Sequence, residues 1–206
     1  MPTTYAHYKF GKEVLSALPR PLQNSIEAHR ELFDIGLHGP DILFYYNALK
    51  KDPVNEQGHT LHEQFADEFF HHAVEVIENA KDPAAARAYI YGFICHFALD
   101  SECHPYVEKI MQVGRVSHNE IEMELDRMML TEDYHDPLRY LTAKHIQPKM
   151  EYAEVIAPFF KDVTAEQIYK ALKGMVFYHK LFLAPTSGKR KAFFRECRSG
   201  RGQRYD

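Results

Sequence analysis

The sequence predicts an all-α fold: a single-domain helical bundle. Three observations lead there. Apolar residues recur at helical spacing almost throughout, and no stretch sustains the alternation of a strand. The chain has 206 residues, 45% of them hydrophobic, which suits one domain with a substantial core. We therefore expect a helical domain over residues 1–186 and a basic C-terminal tail over 187–206.

The elements follow in order. Residues 5–18 give a first amphipathic helix, ended near Pro19 and Pro21. Residues 21–34 give a second, broken by Gly36, Gly39 and Pro40. A short, heavily buried helix is expected from Asp41 to Lys51, and a loop over 51–58, where Pro, Asn and Gly cluster. A long helix runs from His62 to about Asn79. Asp82 followed by Pro83 is a helix start, an N-cap and then proline in the first turn. That helix reaches about His104, where Pro105 marks a break or kink. Ser117 and Glu120 form a capping box for the next helix, which ends near Met129. Residues 131–150 look less regular. Thr164, with Gln167 three residues on, starts a last helix to about Ala184.

Net charge is −4, which argues neither for nor against a nucleic-acid partner. Cys95, Cys103 and Cys197 contain no CxxC pair and do not read as a disulfide framework. The N-terminus lacks the features of a signal peptide, and no apolar run approaches the ~20 residues needed to span a bilayer. A cytoplasmic protein without a transmembrane segment is the expectation. The tail carries seven Lys/Arg against one Glu and one Asp. It reads first as a solvated segment, and second as a basic-aromatic patch for peripheral contact with anionic lipid or phosphate, using Phe193 and Phe194.

Histidine is the unusual residue, with 13 copies. In His96-Phe-Ala-Leu-Asp100-Ser-Glu-Cys-His104, residues four apart lie ~40° apart around a helix. His96, Asp100 and His104 thus form one stripe, ~12 Å long. That is too long for one ion, because zinc bonds its ligands at ~2.0–2.2 Å. Two ions with Asp100 between them satisfy the spacing. His118 and Glu122 repeat the His-x3-carboxylate step on another helix. Taken alone, either pair is as well explained by a histidine–carboxylate hydrogen bond. Asp100, however, lies on a helix apolar on nearly every face, where a carboxylate needs a partner. His59 and His62 are candidates at a loop-to-helix junction, one or both as ligands. Asp41 at a helix start reads equally well as an N-cap. His7 lies on an apolar helical face, where a satisfied core histidine is the commoner reading. His29, His38, His71, His72, His135, His145 and His179 are set aside.

In this order, His7, Asp41, His59/His62, His96-x3-Asp100, His104 and His118-x3-Glu122 resemble the zinc-dependent phospholipase C family. Its superfamily also holds the single-strand-specific zinc nucleases. The opening Met-Pro-Thr-Thr-Tyr-Ala-His-Tyr-Lys-Phe-Gly, with Gly-Pro-Asp-Ile-Leu-Phe-Tyr, looks like an intracellular bacterial branch. The resemblance covers about residues 5–130 and implies a helical bundle of the phospholipase C/zinc nuclease type with two or three zinc ions. It implies that Asp41, one of His59/His62, His96 and Asp100 hold one zinc, and His104, His118 and Glu122 a second. Asp100 would bridge to a third, helped by His7. The implied reaction is phosphodiester hydrolysis by a zinc-activated water, with Asp41 as the catalytic residue assisting proton removal. The implied substrate is a phosphodiester small molecule or phospholipid head group. Alternatives are a nuclease or nucleotidase on the same cluster, with Tyr45, Tyr46, Phe97 and Tyr106 as stacking candidates, or a non-catalytic zinc-binding helical protein. The sequence departs from the secreted members in having no Trp and only one helical turn between Asp100 and His104.

Overall fold

The computed structural model describes residues 4–183 and residue 188, so the expected basic tail lies outside the described residues except for that one position. Among the described residues every regular element is helical. The elements are α1 (Thr4–Ala17), α2 (Arg20–Glu27), α3 (Arg30–Gly36), a 3-10 segment (Gly39–Tyr45), α4 (Pro53–Glu63), α5 (Ala66–Asn79), α6 (Pro83–Gly114), α7 (His118–Glu132), α8 (Met150–Ile156) with a 3-10 turn at Ala157–Phe159, and α9 (Ala165–Phe182).

Five boundaries differ from the expectation, each for a local reason. The helix expected over 21–34 is two, because His29 leaves the helical region at φ −133°, ψ 41°. The helix expected from Asp41 to Lys51 is a 3-10 segment ending at Tyr45, with Asn47 in the left-handed region just beyond. The loop expected over 51–58 is the start of α4. Asp52 accepts from the Val54 amide, Pro53 occupies the first turn, and Asn55 bonds back to the Asp52 amide. Composition reads Pro, Asn and Gly as a loop, but their order here spells a capping box. The long helix expected from His62 begins only at Ala66, after Gln64 and Phe65 turn extended. Finally, α6 runs unbroken through Pro105 to Gly114. The caps at Asp82, Ser117 and Thr164 stand where the sequence places them.

Helix α6 is the central element, touching α1, α2, α3, α5, α7, α8 and the first 3-10 segment. Its closest neighbour is α3. A side chain at Gly36 would meet the Tyr89 carbonyl at 2.1 Å, and one at Gly92 would meet the Phe33 carbonyl at 2.2 Å. Two backbones approach here as only glycine allows. Around the first half of α6 lies the main core, with Ile35, Ile42, Leu43, Tyr89, Ile156 and Leu172. A smaller core of Leu15, Ile26, Phe33, Leu37 and Cys95 sits beneath α1 and α2. Each fully buried Leu, Ile or Phe contributes about 1.5–3 kcal/mol. This rigid frame leaves the second half of α6, from His96 onward, facing a polar centre.

Candidate metal centre

The stripe on α6 provides the axis of the centre. Asp100 Oδ1 lies 3.2 Å from His7 Nε2, and its Oδ2 lies 3.2 Å from His96 Nε2. The same Oδ2 is 3.7 Å from His62 Nε2 and 3.8 Å from His104 Nε2. One carboxylate thus faces four imidazoles from three helices. Burial would raise its pKa, but hydrogen bonds from His7 and His96 and their charges hold the carboxyl well below the usual carboxylate range.

Asp41 enters from the 3-10 segment. Its Oδ1 lies 3.0 Å from His62 Nε2, and its Oδ2 4.0 Å from His96 Nδ1. Gly39 makes this approach possible. Its φ is +48°, and an added Cβ would meet the His96 ring at 2.2 Å. His62 Nδ1 donates to the Gly58 carbonyl one turn earlier on α4, at 2.7 Å. That bond fixes the tautomer and leaves Nε2 directed at Asp41 and Asp100. Burial would lower the His62 pKa, but the Asp41 carboxylate outweighs it and carries it up to about 9. His7 behaves alike: burial opposes its charge, and Asp100, Asp41 and Glu122 overcome that.

The third part stands at the α6–α7 turn. Arg115 takes a left-handed conformation, and the Ser117 capping box starts α7. The His118 ring then meets the His104 ring edge-on at 5.2 Å. His118 Nε2 donates to Glu122 Oε1 at 2.7 Å.

Three donor groups result: His7–His96–Asp100, Asp41–His62–His96, and His104–His118–Glu122, each with its donor atoms within 4.8 Å of one another. Eight of the nine sequence candidates are therefore brought together. His59 is not in these groups; it is exposed, with its ring against Phe44. The residues present suit a divalent cation. Three carboxylates face only imidazoles in the ion pairs described. His7 Nδ1, His96 Nδ1 and Glu122 Oε2 are buried without a hydrogen-bond partner, an arrangement expensive to keep unless something else satisfies it.

Two clefts meet at this point. One, of about 590 Å³, has apolar walls that include Leu61, Phe65, Phe69, Phe93 and Phe97, and reaches His62, His96, Asp100 and His104. The other, of about 820 Å³, contains Asp41, His59, His118 and Glu122, with Lys50, Lys51 and Asn119 along it. Phe65, whose extended backbone separates α4 from α5, is 89% exposed at the mouth of the first. Of the stacking candidates, Tyr45 is buried, with its hydroxyl on His179.

Several further residues of the structure carry no local signal in the sequence. Asp126 on α7 accepts from the Tyr5 and Ala6 amides at 3.0 and 2.9 Å. Burial pushes its carboxyl up to about 6 despite those two bonds. Asp133 receives the Tyr5 hydroxyl and the Lys9 ammonium. Among the histidines set aside, His38 and His145 share a buried hydrogen bond of 2.7 Å, and Tyr8 stacks on His145. His179 joins Thr4, Tyr45 and Thr142. Local spacing carries no signal for any of these.

Comparison with protein families matches residues 6–174 to the one described as zinc dependent phospholipase C. Neither curated proteins nor solved structures gave a match. The helical frame, the three donor groups and a family match over most of the chain agree. No helix of the described residues is long and apolar enough to cross a membrane. The chain belongs to the zinc-dependent phospholipase C family, whose members are metal-dependent hydrolases.

Proposed function

We propose that this protein hydrolyses a phosphodiester carrying an apolar alcohol half, at a centre of two or three zinc ions. The supporting observation is that the three donor groups stand where two clefts meet, one of them walled by Leu61, Phe65, Phe69, Phe93 and Phe97. Asp41, His62, His96 and Asp100 would hold one ion, with His62 rather than His59 as the ligand from α4; His104, His118 and Glu122 would hold a second, and His7 with Asp100 a third.

Zinc, when bound, lowers the pKa of water and offsets charge on the phosphoryl oxygens. The chain supplies the rest. Asp41 lines the 820 Å³ cleft and not the apolar one, so it receives the proton of a water attacking from that side. The leaving alcohol then departs into the 590 Å³ cleft with its phenylalanine walls. A water–phosphorus bond forms and the phosphorus–alcohol bond breaks. Solvent reprotonates the alkoxide, and the products are a phosphomonoester and an apolar alcohol. The clefts reach the donor groups from outside, which favours catalysis over a structural zinc site closed to solvent.

The test is hydrolysis of a chromogenic phosphodiester by zinc-loaded protein, with and without chelator. Long-chain and short-chain alcohol esters are then compared. Chelator-sensitive turnover that favours the long chain is expected. A zinc-loaded protein with no turnover on any phosphodiester contradicts the reading.

A further inference from the structure

His7 differs from the other members of the donor groups in how it is held. It is the one contributed by α1, only three residues from the start of that helix. The first turn of a helix leaves its amides without partners inside the helix. Helix α1 has no acidic residue of its own in that turn. The need is met from α7, where Asp126 receives the Tyr5 amide on one carboxylate oxygen and the Ala6 amide on the other. Its negative charge also lies at the positive end of the α1 dipole. Asp126 follows Glu122 by one helical turn, so the helix that presents Glu122 to the centre also grips the start of α1. Two turns further on, Asp133 holds Tyr5 and Lys9 through their side chains alone.

We propose that Asp126 is a positioning residue for the third metal position: it fixes the first turn of α1 in the register that directs His7 at Asp100. This rests on the zinc-centre reading above. Asp126 need not touch the ion. Its carboxylate anchors the ligand through two backbone amides, so losing it weakens that position and leaves the other two intact.

The experiment is a zinc titration of the metal-stripped full chain against a competing chromogenic chelator. It compares wild type, His7→Ala, Asp126→Asn and Asp133→Asn, with melting temperatures of the metal-free forms. His7→Ala identifies which zinc equivalent belongs to the third position. Asp126→Asn, isosteric but uncharged, is expected to weaken that same equivalent at least tenfold and leave the others unchanged. Asp133→Asn is expected to lower the melting temperature and keep wild-type affinity throughout. If Asp126→Asn does not fold, Asp126→Glu, which displaces both oxygens, takes its place with the same expectation. Wild-type affinity at every equivalent in the Asp126 variant overturns the inference. So does equal weakening by Asp133→Asn, which would indicate helix packing alone. A wild type that binds no zinc overturns the zinc-centre reading itself, a distinguishable failure.

Discussion

Asp100 is the residue on which the centre turns, because its two oxygens face different imidazoles. Asp100→Asn keeps the shape and removes the charge. Atomic absorption after dialysis is expected to show most zinc gone, with activity down at least 100-fold; a fully metallated, active variant contradicts its bridging role. His62 and His59 give a sharper comparison. His62→Ala is expected to cost at least 100-fold in kcat/KM, because Nε2 is aimed inward by Gly58, and outer partners alone are worth 10–100-fold in such sites. His59→Ala is expected to cost less than about threefold, and the reverse order would reassign the ligand. What was legible at this scale follows from distance along the chain. His96 with Asp100, and His118 with Glu122, are one helical turn apart, so their shared faces are visible in sequence. Which of His59 and His62 faces Asp41 and Asp100 was not, because it depends on the phase of α4, which begins nine residues before His62. Asp126 was invisible because its partners are backbone amides 121 and 120 positions earlier.

Among the elements, glycines decide how near the helices come. At Gly92→Ala the added Cβ faces a backbone carbonyl of α3 that cannot turn aside. Overpacking of this kind costs about 1–3 kcal/mol, measured as a lowered urea midpoint; an unchanged midpoint would show that α3 and α6 separate freely. The gap between α4 and α5 affects substrate choice instead. Phe65→Ser removes an exposed ring from the mouth of the apolar cleft and leaves the donor groups alone. Turnover of long-chain esters is expected to fall several-fold while short-chain turnover holds; equal losses on both would remove the cleft from the account. Helix existence was legible wherever an apolar stripe came with a cap, as at Asp82, Ser117 and Thr164. It failed at 51–58, where local order outweighed composition. Pro105 misled because α6 is held by neighbours on many sides, so tertiary packing tolerates one missing amide.

Over the whole molecule, the buried His38 and His145 and the half-buried His179, all outside the centre, make stability depend on pH. Burial lowers His145 to about 3 and His179 to about 4, and His38 well below its ordinary value. Unfolded, each titrates near 6.5. Below that, the unfolded chain binds protons that the native state refuses, so their contribution is present above pH 6.5 and is lost as pH falls toward 3–4. Each such histidine adds up to ~1.4 kcal/mol per pH unit to the slope. In urea unfolding of the metal-free chain, the wild type is expected to lose more stability from pH 7 to pH 5 than His145→Gln does; equal slopes would contradict this. Zinc that binds the folded form alone would stabilise it by about 2.7 kcal/mol at a hundredfold excess over Kd. The proposed centre requires side chains from α1, the 3-10 segment, α4, α6 and α7 to share metal ions. Anomalous diffraction at the zinc edge from a zinc-loaded crystal tests this most directly. The expected map has a peak among Asp41, His62, His96 and Asp100 and another among His104, His118 and Glu122, with a third between His7 and Asp100 when that position is filled. No peak at these residues, or a first peak coordinated by His59 in place of His62, would contradict it.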